Sequence, residues 1–138
     1  MYKSFQDLPV WKNAITLAED IFHLTRNLPR SEDYGLTSQM RRAANSIHAN
    51  IAEAFGREYF KDKQRFYIIS KDSAYELLSH ILYGNKVHYF SKIECESITT
   101  KIEILIIQLS KIIKNLRNKA AQEYPTKPKS QPQPQPQS

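Results

Sequence analysis

An all-α chain, folded as an up-down-up-down antiparallel four-helix bundle, is what the sequence predicts, and three observations predict it. Four segments of roughly 20 to 28 residues carry apolar side chains at steps of three and four, the period of a helix with one buried face. Short connections holding Pro, Gly, Ser and Asp separate them, and short connections make sequential helices antiparallel neighbours. No run alternates with the period of two that a half-buried strand requires. The helices are expected at about 8–28, 35–56, 62–84 and 91–119, within one bundle over residues 1–120. Residues 121–138 form a separate Gln/Pro-rich segment.

The first helix follows a short lead-in. Asp7 is a plausible N-cap, and Pro9 falls in the first turn, where a missing N–H costs nothing. Trp11, Ala14, Ala18, Ile21, Thr25 and Leu28 step at three or four residues, flanked by Ile15 and Phe22. Leu28-Pro29-Arg30 stops the helix, and Ser31, Glu32 and Asp33 lead into the second.

The second helix lies between Gly35 and Gly56 and is rich in strong helix formers. With residues placed about 100° apart, Leu36, Met40, Ala43, Ile47, Ile51 and Ala54 form one apolar stripe. Arg42, Ser46, Asn50, Glu53 and Arg57 form a polar flank. The back carries the small residues Asn45, Ala49, Ala52 and Gly56, with Arg41 among them. A water-facing back would carry Lys and Glu, so this one is expected to meet a neighbour.

Asp62 can cap the third helix, whose core stripe is Phe66, Ser70, Ser73, Leu77, Ile81 and Gly84. Ile68, Tyr75, Leu78 and Leu82 make a second apolar face, and Gly84-Asn85 closes the helix. Asn45, Ala49, Ala52, Tyr75, Leu78 and Leu82 are therefore the expected oligomer interface. Ser91 and Glu94 have the spacing of a capping box opening the fourth helix. Cys95, Ile98, Ile102, Leu105, Leu109, Ile112 and Leu116 follow in heptad steps, and Ile104, Ile106, Ile107 and Ile113 widen the stripe to a bundle position. The Gln-Pro repeat beyond Ala121 cannot continue a helix and is expected to be a disordered, locally extended tail.

The chain has 138 residues and a formal net charge of +6, and through Ala120 it holds 18 Lys and Arg against 13 Asp and Glu. The basic balance thus belongs to the bundle and favours an anionic partner, most simply nucleic acid. A lone cysteine, Cys95, excludes an intrachain disulfide and falls on the apolar stripe as a small core residue. No run reaches the length of a membrane span and the N-terminus lacks a secretory apolar segment, so a cytoplasmic protein is expected, with no membrane partner.

Read together, Asp7-Leu8-Pro9-Val10-Trp11, Tyr34-Gly35-Leu36, Arg41-Arg42-Ala43-Ala44, Ser46-Ile47, Asn50-Ile51-Ala52-Glu53, Gly56-Arg57, Phe66, Ser73 and Glu76-Leu77 resemble a known set. It is that of the four-helix-bundle family encoded in intervening sequences of bacterial large-subunit (23S) ribosomal RNA genes, related to accessory proteins of diversity-generating retroelements. The resemblance spans about residues 5–118. It implies a bacterial protein assembled as a homopentameric ring, with a nucleic-acid-binding accessory role rather than an enzymatic one. Ala54 stands where the family usually has the first Gly of Gly-x-Gly, which suggests a later turn; Asp72 stands where it usually has Gly, which adds a charge at a close approach.

Four chemistries are weighed on these residues. Arg42, Asn50 and Glu53 are expected to bond Ser73 and Glu76 across the bundle as a structural network fixing register. Arg41, Arg57, Lys61, Lys63 and Arg65, with Tyr59 and Phe60 beside them, and the acid-free run Lys111, Lys114, Arg117 and Lys119 are the candidate nucleic-acid contacts. Each cluster alone also fits a solvated face; repetition in an oligomer makes weak contacts act together. Arg42 and His48 have a spacing that resembles HEPN-type ribonucleases, the enzymatic alternative. Glu19/His23 and Glu76/His80 are at i, i+4, the wrong spacing for a di-iron bundle, so no metal and no cofactor are expected. The leading expectation is a non-enzymatic, salt-sensitive, weakly sequence-selective RNA- or DNA-binding homo-oligomer. The alternative is an interaction scaffold for a protein partner such as a reverse transcriptase.

Overall fold

The computed structural model describes residues 1–123. Four helices account for most of them: α1 (Pro9–Thr25), α2 (Leu36–Gly56), α3 (Phe60–Lys86) and α4 (Lys92–Glu123), with 3-10 turns at Phe5–Asp7 and Arg30–Glu32 and no strand among the described residues. Each helix packs on its sequence neighbours, and α1 closes the arrangement against α4. The expected alternation of helix direction follows, with α1 starting, α2 ending, α3 starting and α4 ending at the same end of the bundle. The core runs down the middle through Ala14, Leu17, Ile21, Met40, Ile47, Ile51, Leu77, Ile81, Ile102, Leu105 and Leu109, all at most 2% exposed.

The entry to α1 corrects one expectation. Asp7 does not cap the helix. Ser4 does the capping one turn earlier: its Oγ accepts from Gln6 N at 3.2 Å, and Asp7 N is drawn to Ser4 O at 3.1 Å, so Leu8 stands at the N-cap without a side-chain bond. Phe5 meets Trp11 edge-on at 5.2 Å and fixes the lead-in. The buried face of α1 is Val10, Ala14, Leu17, Ile21 and Thr25, rotated from the expected stripe, which leaves Trp11 and Ala18 at its border. Both sets step by three and four, so periodicity alone could not choose between them.

All six expected core positions of α2 are buried, joined by Thr37 and Ala44. The helix runs unbroken through Ala54 to Gly56, consistent with a turn that starts late. Asp72 is exposed on α3, so its charge stays out of the packing. Neither expected end of α3 holds. Asp62 lies inside the first turn, and the helix starts at Phe60, whose N–H donates to the Glu123 carboxylate at 2.9 Å. Gly84 does not stop the helix; it lies under the Phe90 ring, where an added Cβ would come within 2.2 Å of Phe90 Cε2. The stop comes four residues later at His88, a non-glycine residue at φ 66°, after which Tyr89 N and Phe90 N both return to Gly84 O.

The capping box at the start of α4 is present in both directions: Glu94 N donates to Ser91 Oγ at 3.1 Å, and Ser91 N donates to Glu94 Oε1 at 2.9 Å. Its heptad stripe is buried, with Ile112 at the border, while Ile104 and Ile107 face outward. The helix extends past residue 119 to Glu123, because Glu123 serves as the cap of α3. The expected tail therefore loses its first three residues to the bundle, and the rest of it, 124–138, lies outside the described residues. No helix among the described residues is long and apolar enough to cross a membrane.

Candidate nucleic-acid interface

Antiparallel connectivity brings the two basic segments to one end. The Glu123–Phe60 bond ties the last turn of α4 to the first of α3, and Lys119 Nζ lies 5.5 Å from the Phe60 ring centroid. On the other side, Lys111 and Lys119 border a cleft of about 500 Å³ with Leu8 and Pro9 of α1 and Tyr67 of α3. Residues separated by about half the chain thus form one cationic surface, although each segment alone fitted a solvated face.

Aromatic rings carry several of these cations. The guanidinium carbons of Arg57 and Arg65 lie 4.4 Å and 4.5 Å from the centroid of Phe66. Such contacts hold a cation by its face and leave its N–H edge directed outward. Arg57 also meets Glu53 at 3.3 Å, an exposed i,i+4 pair of small energetic weight. Lys61, Lys111, Lys114 and Arg117 are exposed and make no hydrogen bond or ion pair among the described residues. Tyr59 is 44% exposed beside them.

Two expected contact residues have structural work instead. Lys63 Nζ donates to Ala54 O and Phe55 O, both at 3.1 Å, and so caps the carbonyl end of α2, while desolvation pulls its pKa below the ordinary lysine value. Arg41 donates through Nε to Thr25 Oγ1 at 2.9 Å and through a terminal nitrogen to Phe22 O at 3.3 Å, with Phe22 under its guanidinium at 4.6 Å. It fastens the end of α1 to the start of α2, at the far end from the cationic surface. Of the adjacent pair, Arg41 is the structural residue. Arg42, expected in the network, is exposed and makes no hydrogen bond or ion pair among the described residues.

The cross-bundle network is correspondingly smaller than expected. Ser73 Oγ donates to Ser46 Oγ at 2.8 Å, and Asn50 Nδ2 donates to Ser46 O and Ser46 Oγ at 2.8 Å and 3.0 Å. Ser70 Oγ donates to Ile47 O at 2.8 Å inside the core. Glu53 turns to Arg57, and Glu76 lies 3.7 Å from His80 Nε2. Long charged side chains reach water more cheaply than they can be buried, so only the short hydroxyls and one amide cross between α2 and α3. Arg42 and Glu76 border an open recess of about 300 Å³ with Gln39, Ser46 and Ser73. Sequence reasoning placed Ser46 on the polar flank without giving it this central position, and missed Glu123 and Phe66.

His48 is not among the residues bordering that recess. It lies 3.3 Å from Asn45 Oδ1, and burial holds its imidazole below the ordinary histidine value. Among the described residues, no group of three or more His, Cys, Asp or Glu is placed to hold a metal ion. The residues expected at an oligomer interface are split by exposure: Asn45, Ala49, Tyr75 and Leu82 face outward, while Ala52 and Leu78 are half-buried. Ile68, Tyr75 and Leu82 are 38%, 52% and 47% exposed along the outer face of α3.

Comparison with solved structures finds a crystal structure of a protein of unknown function from the S23 ribosomal protein family of Bacteroides thetaiotaomicron. It is 23% identical, with a TM-score of 0.69 over 76% of this chain and 98% of that one, a likeness of fold. Comparison with curated proteins gives no match. The family described as 23S rRNA-intervening sequence protein matches residues 6–114, from the lead-in to α1 through most of α4, and the chain belongs to that family.

Proposed function

We propose that this protein is a non-enzymatic, homo-oligomeric accessory protein that binds RNA or DNA in the cytoplasm through the cationic end of its bundle. The observation that carries the reading is the meeting of the two basic segments there. Arg57, Arg65 and Lys119 lie over aromatic rings, and Lys61, Lys111, Lys114 and Arg117 are exposed. Phosphates are bound by such outward cations without base selectivity. The outer face of α3, with the small back of α2, is the surface on which copies assemble. A homopentamer, the assembly implied by resemblance to retroelement accessory proteins, multiplies the weak contacts of one protomer.

Fluorescence anisotropy with a labelled oligonucleotide, titrated over a range of salt, tests the binding. Three or more phosphate contacts give a log–log slope of about −2 or steeper. A flat salt dependence, or no binding at low salt, would remove this reading. Sedimentation of the free protein tests the assembly, and a monomer would remove the multivalent part.

An apolar face also suits a protein partner, and the exposed Ile68, Tyr75 and Leu82 favour that second reading, a scaffold. Their substitution by polar residues would then abolish partner capture while leaving the oligomer intact.

A further inference from the structure

Between the start of α3 and the end of α4 lies a recess of about 410 Å³, bordered by Tyr59, Lys61, Asp62, Gln64, Ala120 and Ala121. We infer that this recess receives one unpaired nucleobase, so that the ligand of the cationic end is a single strand rather than a duplex. The inference rests on the nucleic-acid reading above and narrows it.

Its lining suits a flat, neutral ring with a polar rim. Ala120 and Ala121 contribute only methyl groups, which leave room for a planar group to lie against α4. Tyr59 offers an exposed aromatic face, and every base can stack on such a face. Asp62 accepts hydrogen bonds, and Gln64 both donates and accepts, which matches the mixed edge of a base. The charge pattern sets the orientation. A half-buried carboxylate at Asp62 disfavours a phosphate inside the recess, whereas Lys61 at its border and Lys119, over the neighbouring Phe60 ring, favour phosphates outside it. A base thus points inward and its backbone runs along the cations. In a duplex the bases are stacked and paired, so none is available to enter.

The test measures the full chain against a mixed-sequence single strand and the blunt duplex of the same sequence, at one low ionic strength. The single strand is expected to bind at least about 5-fold more tightly, and Tyr59→Ala to weaken it by about 5- to 100-fold. Tyr59→Phe keeps the stacking face and is expected to stay within about 2-fold of the wild type. Ala121→Leu narrows the recess without altering charge, and is expected to weaken single-strand binding while leaving the salt slope in place. Equal affinity for strand and duplex, or wild-type single-strand affinity in Tyr59→Ala, overturns the inference and leaves salt-sensitive binding standing. Absence of binding to either ligand overturns the nucleic-acid reading itself, and the inference with it.

Discussion

The two ends of the bundle employ similar side chains for different ends. Where α1 stops and α2 begins, Arg41 is held by a hydroxyl, a carbonyl and the Phe22 ring, all belonging to the preceding helix. Where α3 begins and α4 ends, Arg57 and Arg65 lie over Phe66, and Lys119 over Phe60. A cation whose N–H groups point into the protein stabilises the junction it spans. A cation supported by a ring keeps those groups for something outside. The same contrast holds for the two helical glycines: Gly84 is covered by Phe90, while Gly56 has nothing within 4 Å of an added Cβ.

That contrast can be broken by substitution. The largest effect is expected from Gly84→Ala, where the new methyl group displaces a ring that is 3% exposed. Overpacking of this kind costs about 1–3 kcal/mol, visible as a lower Tm. Gly56→Ala should instead be neutral or stabilising by up to about 1 kcal/mol, because it only restricts the unfolded chain and improves helix propensity. Equal losses at both sites would show that the two ends are packed alike.

Next in size is the adjacent arginine pair. Arg41→Ala removes two charge-assisted bonds and a ring contact at a partly exposed site, a loss of about 1–2 kcal/mol in chemical denaturation. Arg42→Ala should stay within about 0.5 kcal/mol of the wild type. Glu123→Ala strips the side-chain cap from Phe60 N and should cost about 1 kcal/mol, comparable with loss of other N-caps. It also frees the last turn of α4 from α3, so its effect is expected at the cationic end alone.

The smallest effect concerns pH. Burial lowers the His48 pKa below 6.5 in the folded protein, so the unfolded chain takes up the proton first. Stability is therefore expected to fall as pH drops from about 6.5 toward the folded value, and to level off below it. Stability measured against pH for His48→Gln should show a shallower fall over that window.

How much of this was readable in advance depends on what kind of information each feature needs. The apolar stripe of α2 and the Ser91–Glu94 box are set by residues a turn apart, and the structure reproduces both. Gly84 was misread because its cover, Phe90, arrives from beyond the helix end; a glycine that packs and a glycine that stops look the same in a linear chain. Arg41 and Arg42 sit about 100° apart on α2, and only the position of Phe22 and Thr25 decides which is engaged. The start of α3 was missed for the same reason, since its cap is supplied by Glu123, 63 residues later. The two basic segments were visible individually. Their convergence is a consequence of helix direction, which the connection lengths did carry.

The central claim is that the cationic end binds nucleic acid, and its most direct test compares the ends within one protein. Lys61, Arg65, Arg117 and Lys119 are replaced together by Gln in one variant, and Arg26, Arg30, Lys86 and Lys92 in another. Single-strand affinity is then read by anisotropy across a salt series. Both variants lose the same formal charge, so a generic effect of net charge would weaken them equally. Loss of affinity and a shallower salt slope in the first, with the second close to wild type, is the predicted result. Equal weakening of the two, or wild-type affinity in the first, would contradict it.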